Sequence, residues 1–324
     1  MTSKKLTELL KKQHYGIVGE HSAVQICRWA KKSLTNEGVC YKEKFYGIKS
    51  HLCCQMSPAT VFCQNKCLHC WRAIEHTCGD NMEDIILDSP TKIIEDSIKI
   101  QRKLIGGFKG NSKVDMKKFN ESQEPMQFAI SLTGEPTLYP KLGEFIKELR
   151  KKGKTSFVVT NGLNTEVLKE LSKKKQLPTQ LYISLNSTTK EQYEKWHRST
   201  VKNAWDKFNQ TLELFPKLKT RKVVRMTLVK NANMNDEQVK EYATLIKKAS
   251  PDFIEAKGYM SVGFARKRMG YEMMPTMEEI REYSNKLVNE LKKESYKILD
   301  EHEHSRVVLI GKDKKRMKIK KSEI

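Results

Sequence analysis

From residue 60 onward, short apolar runs alternate with amphipathic stretches, and this rhythm leaves few folds open. The apolar runs predict strands over residues 60–62, 127–132, 156–160, 180–185, 223–229 and 253–257. Between them the periodicity predicts helices over 90–104, 140–151, 165–174, 205–214 and 236–249. Pro90 and Pro140 stand where a first helical turn accepts proline, because the missing N–H would have no partner there anyway. A helix over 276–293 and short strands near 296–299 and 306–310 follow. Strand–helix alternation at this spacing makes an α/β fold with a parallel sheet. Six units are fewer than the eight of a closed barrel, so a partial barrel and an open doubly wound sheet satisfy the periodicity equally. Residues 1–58 resist a periodic reading; Leu6, Leu9 and Leu10 suggest one short helix, and residues 24–30 another.

Charge narrows the partners. The chain of 324 residues carries a formal net charge of +22, an excess that opposes compaction unless a polyanion offsets it. Charged residues make up 31%, yet 38% hydrophobic residues supply enough core material to exclude disorder. The basic stretches 4–12, 99–118, 147–154, 217–222 and the tail 312–321 point to a nucleic acid, with Trp71, Trp196 and Tyr259 as stacking platforms for a splayed base. No run approaches the ~20 apolar residues of a membrane span. The first residues lack the apolar segment of a signal peptide, so the expected compartment is the cytoplasm, with no membrane partner.

All eight cysteines lie between Cys27 and Cys78. Such clustering in a chain with no export signal favours metal or cluster ligation over disulfides. Cys63, Cys67 and Cys70 form C-x3-C-x2-C after a predicted strand. A structural zinc site takes four ligands, usually in two pairs, and no second pair follows. Three thiolates can instead hold three irons of a [4Fe–4S] cluster and leave the fourth open. Cys27, Cys40 and Cys53 fall at intervals of thirteen.

The run Cys40-Tyr-Lys-Glu-Lys-Phe-Tyr-Gly-Ile, then Ser50-His-Leu-Cys-Cys-Gln-Met-Ser-Pro, then Cys63-Gln-Asn-Lys-Cys-Leu-His-Cys-Trp-Arg72 closely resembles archaeal tRNA 4-demethylwyosine synthases. These are radical S-adenosylmethionine (SAM) enzymes, and the motif resemblance extends to about residue 265. It implies a partial (β/α)6 barrel with an N-terminal cluster-binding extension. The expected divisions are 1–58 for the extension, 59–295 for the barrel and 296–324 for C-terminal strands and a basic tail. It also implies two [4Fe–4S] clusters, one on Cys63, Cys67 and Cys70 with SAM, the other on Cys27, Cys40 and Cys53. Cys54 and Cys78 match neither triad, and His69 stands where many radical SAM enzymes have an aromatic residue.

Thr133-Gly134-Glu135-Pro136 follows the second predicted strand, where a glycine lets a ligand approach the backbone and a carboxylate can bind an ammonium group. The resemblance assigns such a segment, usually Gly-Gly-Glu, to the methionine amine of SAM. Asn161, before Gly162, is either a SAM contact or part of an Asn-Gly turn. Ser184 and Asn186 end the fourth predicted strand and by resemblance face the adenosyl ribose. Glu255 and Lys257 share one side of the sixth strand, where both could line the barrel interior, Glu255 as a cofactor contact, or form a cross-strand salt bridge. Lys42, two residues after Cys40, is the candidate catalytic amine, since the family condenses pyruvate and a lysine can capture a keto acid as a Schiff base.

The expected activity is that of a lyase. SAM cleavage generates a radical that removes hydrogen from the methyl group of N1-methylguanosine beside the anticodon of tRNA(Phe). Two carbons of pyruvate then complete the 4-demethylwyosine ring. Eukaryotic relatives carry a flavodoxin-like domain that these residues do not match, so an external electron donor is expected. The rival readings are another radical SAM enzyme, using the N-terminal cluster for electron transfer, and a non-catalytic zinc protein that binds nucleic acid.

Overall fold

The computed structural model describes residues 4–324. Residues 1–3, the start of the segment read for a leader sequence, and the side chains of Lys4 and Lys5 in the first basic stretch lie outside that description. The N-terminal part consists of α1 (Lys4–Lys12), β1 (Gly16–Val18), β2 (Ser22–Gln25), α2 (Arg28–Leu34), α3 (Tyr41–Tyr46) and β3 (Cys53–Ser57). Next come α4 (Pro90–Gly106), α5 (Met116–Glu121), β4 (Gln127–Ile130), α6 (Leu142–Lys151), β5 (Thr155–Thr160), α7 (Thr165–Lys173) and β6 (Gln180–Ser184). The chain continues through α8 (Lys190–His197), α9 (Ala204–Leu214), β7 (Arg221–Leu228), α10 (Asp236–Ala249), β8 (Phe253–Gly258), α11 (Met277–Glu290), β9 (Lys297–His302) and β10 (Val307–Gly311). Among the described residues no helix is long and apolar enough to cross a membrane.

The six strands β3 to β8 are parallel and lie side by side in chain order. A doubly wound sheet reverses its strand order at a switch point; this one never reverses, and with its edge strands unjoined it is a partial barrel. The β1–β2 hairpin extends the β3 edge antiparallel, and β10 and β9 extend the β8 edge antiparallel. Residues on either side of 58–59, and those from β9 onward, thus belong to one ten-stranded sheet.

The first barrel strand is not 60–62. Phe62 makes only an isolated bridge to Gly79, and the strand is Cys53–Ser57, with Cys54 and Met56 fully buried. Pro58, which has no N–H to donate, follows its last residue. Residues 24–30 are likewise not one helix, because Val24 lies in β2 and Cys27 caps the N-terminus of α2. Pro140 precedes α6, which begins at Leu142. The basic tail folds back rather than trailing into solvent: Met317 is buried, Ile319 N donates to Tyr46 O at 3.0 Å, and Arg221 Nη2 donates to Met317 O at 2.7 Å.

Alternate strand residues divide between two cores, as the period of two requires. Phe128, Val158, Leu181, Ile183, Val224 and Ile254 pack with the outer helices. Phe157, Tyr182, Val223, Phe253 and Leu309 point the other way and enclose Tyr41, Phe45 and Tyr46 of α3. A six-residue helix from the N-terminal region therefore plugs the barrel. Its anchor is Glu255, fully buried on β8. Oε1 of that carboxylate accepts from Tyr46 Oη at 2.7 Å, and Oε2 accepts from Tyr41 Oη at 3.1 Å. Oε2 also accepts from Arg225 Nε and Nη2, at 2.9 and 2.7 Å.

Removing the charge at Glu255 leaves the Arg225 guanidinium buried without its counter-ion. Glu255→Gln is expected to cost about 3–5 kcal/mol in urea unfolding, the usual penalty for breaking a buried pair. An Arg225→Met, Glu255→Leu double variant should recover part of the loss. Parental stability in Glu255→Gln would show that this pair does not hold the plug.

Candidate functional site

The carboxyl ends of the parallel strands open into a cavity of about 590 Å³. Ligands in open parallel sheets bind at such ends. Cys63, Cys67 and Cys70 lie on one wall, and Cys27, Cys40 and Cys53 on another.

The loop carrying the first triad leaves β3 and is tied in place through its backbone. Cys70 N donates to Cys67 O at 3.1 Å, Arg72 Nη2 to Asn65 O at 2.9 Å, and Asn65 N to Cys63 Sγ at 3.4 Å. Arg268 adds a clasp from across the site, donating to the carbonyls of Leu68 at 3.2 Å, Arg72 at 3.1 Å and Cys70. The thiols of Cys63, Cys67 and Cys70 feel one another's charge. Burial pushes Cys63 up to about 11 and Cys67 well above the usual thiol range, so a thiolate here needs a cationic partner. Asn65 Oδ1 and His69 Nδ1 are buried beside the triad without hydrogen-bond partners. Three thiols, one guanidinium and unsatisfied buried polar atoms suit an iron–sulfur cluster. Among the described residues no three His, Cys, Asp or Glu side chains converge on a single metal ion, and a cluster spreads its ligands over separate irons.

The second triad draws on three elements. Cys27 and Cys40 are the N-caps of α2 and α3, their Sγ atoms accepting from Ala30 N at 3.3 Å and Lys42 N at 3.5 Å. A helix N-terminus favours negative charge, while burial opposes it and pushes Cys40 up to about 12. Cys53 starts β3. Because α3 is plugged into the barrel, Lys42 is buried within it. Its Nζ lies 5.2 Å from the Phe157 ring centroid and 5.1 Å from that of Tyr182. Burial and then the nearby Arg225 charge hold this amine below the usual lysine range. Lys257 also faces the cavity, with Nζ donating to Ser305 O at 2.7 Å; burial brings it down to about 8.

Thr133, Gly134, Glu135, Asn161, Ser184 and Asn186 all line the cavity. Gly134 is required for a reason the sequence did not suggest. Its φ is +70°, and a Cβ would meet the Ala59 carbonyl oxygen at 1.7 Å, so the close approach is to protein backbone. Glu135 is buried and organises its turn. Oε1 accepts from Thr137 N (3.1 Å), Thr137 Oγ1 (2.6 Å) and Thr160 Oγ1 (2.7 Å), and Oε2 accepts from Asn161 N (2.7 Å). Among the described residues Oε2 takes only the Asn161 bond, which leaves it room for an ammonium donor. Asn161 closes its own turn, Oδ1 accepting from Leu163 N at 3.0 Å. Asn186 Oδ1 accepts from Thr227 N at 2.8 Å, pinning β6 to β7.

Glu255 does not line the cavity; the cross-strand ion pair with Arg225 occupies it, because two tyrosines and a guanidinium surround the carboxylate. Trp196 is buried and stacks on His69 at 5.9 Å, so it does not offer the free face expected for a splayed base, while Tyr259, though largely buried, lines the cavity. Trp71 does face the cavity. Cys54 is buried in the outer core and Cys78 is exposed. Arg225, Arg268 and His197 escaped sequence reasoning, since none belongs to a short motif and the residues they bond, Glu255 and Tyr41, Cys70 and Cys67, lie far from them in sequence.

This barrel with its C-x3-C-x2-C loop is that of a radical SAM protein, and the model of the radical SAM superfamily matches residues 57–243. A second model, for wyosine base formation, matches residues 248–312. The chain belongs to the SAM-dependent tRNA 4-demethylwyosine synthase family, enzymes that use SAM and an iron–sulfur cluster. It is 48% identical to the synthase of Pyrococcus horikoshii over 310 residues, 96% of this chain and 89% of that one. With the synthase of Methanocaldococcus jannaschii the identity is 36% over 321 residues, 98% of this chain and 99% of that one. A structure of TYW1 with a lysine–pyruvate adduct bound superposes with a TM-score of 0.85 at 36% identity, covering 99% of each chain. A crystal structure of archaeal TYW1 gives 0.76 at 33%, covering 96% of this chain and 97% of that one. The likeness therefore continues past residue 265, where the motif resemblance ended.

The close approach at Gly134 has a measurable consequence. Gly134→Ala forces a left-handed backbone on a residue with a Cβ and pushes that atom into a carbonyl, at a cost of roughly 1–3 kcal/mol for the strain alone. Urea unfolding should show at least that loss. An unchanged midpoint would mean that the loop shifts freely.

Proposed function

We propose that the chain binds two [4Fe–4S] clusters and makes 4-demethylwyosine from N1-methylguanosine of tRNA(Phe) and pyruvate. The observation that carries this reading is that both cysteine triads, Lys42 and the Thr133–Glu135 turn line one cavity. A cluster with SAM, when bound at Cys63, Cys67 and Cys70, supplies the hydrogen-abstracting radical chemistry. Glu135 Oε2 receives the methionine ammonium, while Asn161, Ser184 and Asn186 border the adenosyl moiety. The wall of Cys27, Cys40 and Cys53 holds the second cluster and, beside it, the keto acid.

Lys42 Nζ adds to the keto carbon of pyruvate; water leaves and a Schiff base forms. Two features support Lys42 over Lys257. It sits two residues from Cys40, and Lys257 Nζ is held by the Ser305 carbonyl. The lysine–pyruvate adduct in the 36% identical TYW1 structure supports capture by a lysine in this family. Arg225 presents a positive charge to the same cavity, with Nη1 outside its bonds to Glu255 and Tyr41. The net charge of +22 suits the phosphates of a folded RNA. An external low-potential donor reduces the clusters, and the reaction takes place in the cytoplasm.

Trapping with borohydride and [2-14C]pyruvate tests the lysine assignment. Label should attach to the parent and to Lys257→Arg and fall to background in Lys42→Arg, with product formation on N1-methylguanosine tRNA lost alongside. Full labelling of Lys42→Arg would overturn the assignment.

A further inference from the structure

The helix α8, absent from the predicted pattern, ends against the loop of the first cysteine triad. Lys66 N donates to His197 O at 2.9 Å and Leu68 N to Trp196 O at 3.1 Å. Terminal carbonyls of a helix need partners from outside it, and here the cluster loop provides two. The geometry places the His197 side chain beside a ligand: Nδ1 is 3.2 Å from Cys67 Sγ. The imidazole is buried, packed on Tyr193 with ring centroids 4.3 Å apart and edge-on to His69 at 6.0 Å. Its other nitrogen, Nε2, is buried without a partner. A sulfur bound to iron carries no proton, so the hydrogen of this contact belongs to Nδ1, and the contact is an N–H···S bond. Arg72 hydrogen-bonds a second ligand of the triad, Cys70, so the two side chains serve different thiols.

We propose that His197 is a positioning residue that sets the reduction potential of the cluster held by Cys63, Cys67 and Cys70, by donating Nδ1–H to Cys67 Sγ. The inference rests on the cluster assignment made above. Hydrogen bonds to cluster sulfurs raise the potential, because they stabilise the more negative, reduced form more than the oxidised one. One electron enters from the external donor, the cluster charge falls by one unit, no bond is made or broken and no proton moves. The same contact fixes the orientation of the Cys67 side chain, which the backbone bonds from α8 alone do not.

The test is a potentiometric titration of the reconstituted enzyme, followed by electron paramagnetic resonance through the signal that changes when SAM is added. That signal belongs to the SAM-binding cluster alone. His197→Phe keeps a ring against Tyr193 and removes the donor, whereas His197→Asn places an amide N–H near the position of Nδ1. With iron and sulfide content equal to the parent, His197→Phe should be about tenfold less reduced at a fixed potential, equal to a ~59 mV negative shift for one electron. His197→Asn should regain most of it. An unmoved midpoint in His197→Phe at full iron content would overturn the proposal. If His197→Phe does not retain iron, the parent enzyme labelled with 15N-histidine decides. A nitrogen coupling to the reduced cluster before SAM is added, lost in His197→Asn, supports the proposal, and its absence overturns it. A parent enzyme with no SAM-sensitive signal would instead overturn the cluster assignment itself.

Discussion

The arrangement depends on one buried carboxylate. Glu255 takes donors from Tyr41, Tyr46 and Arg225 at once, and so fastens a helix from the N-terminal region inside a barrel built mostly from later residues. A lone carboxylate in that position would be costly; four hydrogen bonds and a guanidinium offset the desolvation. Tyr41 lies between Cys40 and Lys42 in sequence. Whatever holds Tyr41 therefore also positions a thiol and an amine at the cavity wall. A partial barrel without this plug would lack Cys40 and Lys42 at the cavity.

The two sides of the cavity are held differently. The Cys63–Cys70 loop is clasped from outside, by Arg268 and by the end of α8, so its precision comes from segments that follow it by more than a hundred residues. On the other side Cys40 is held from inside by α3, Cys53 by the start of β3, and Cys27 by α2, which packs outside against α4 and α5. Burial works against thiolate at every one of these positions where a shift is resolved. The nearby cations Arg72 and Lys42 act the other way and favour the thiolate.

Much of this was legible in the sequence, for identifiable reasons. Strands β4 to β8 announce themselves because β-branched and aromatic residues with strand periodicity separate clear helical stretches. The triads were visible because cysteine is rare enough for its spacing to carry information. Strand β3 was missed because Cys-Cys-Gln-Met-Ser has no β-branched residue, and the nearby Thr-Val-Phe run looked more like a strand while making only one bridge. Gly134 was noticed for the wrong neighbour, since a sequence cannot show that the Ala59 carbonyl passes within reach. Glu255 looked like a cavity residue because strand alternation gives the face, while its partners Tyr41 and Tyr46 lie more than 200 residues away. His197 and Arg268 carry no local signal at all.

The central claim is that one cavity holds two iron–sulfur sites, and metal content tests it most directly. The protein would be purified and reconstituted without oxygen, and its iron, sulfide and zinc counted per chain beside a Cys27→Ser, Cys40→Ser, Cys53→Ser variant. The account predicts about eight irons and eight sulfides in the parent and about four of each in the variant, since each cluster holds four. About four in both, or zinc in place of iron, would contradict it.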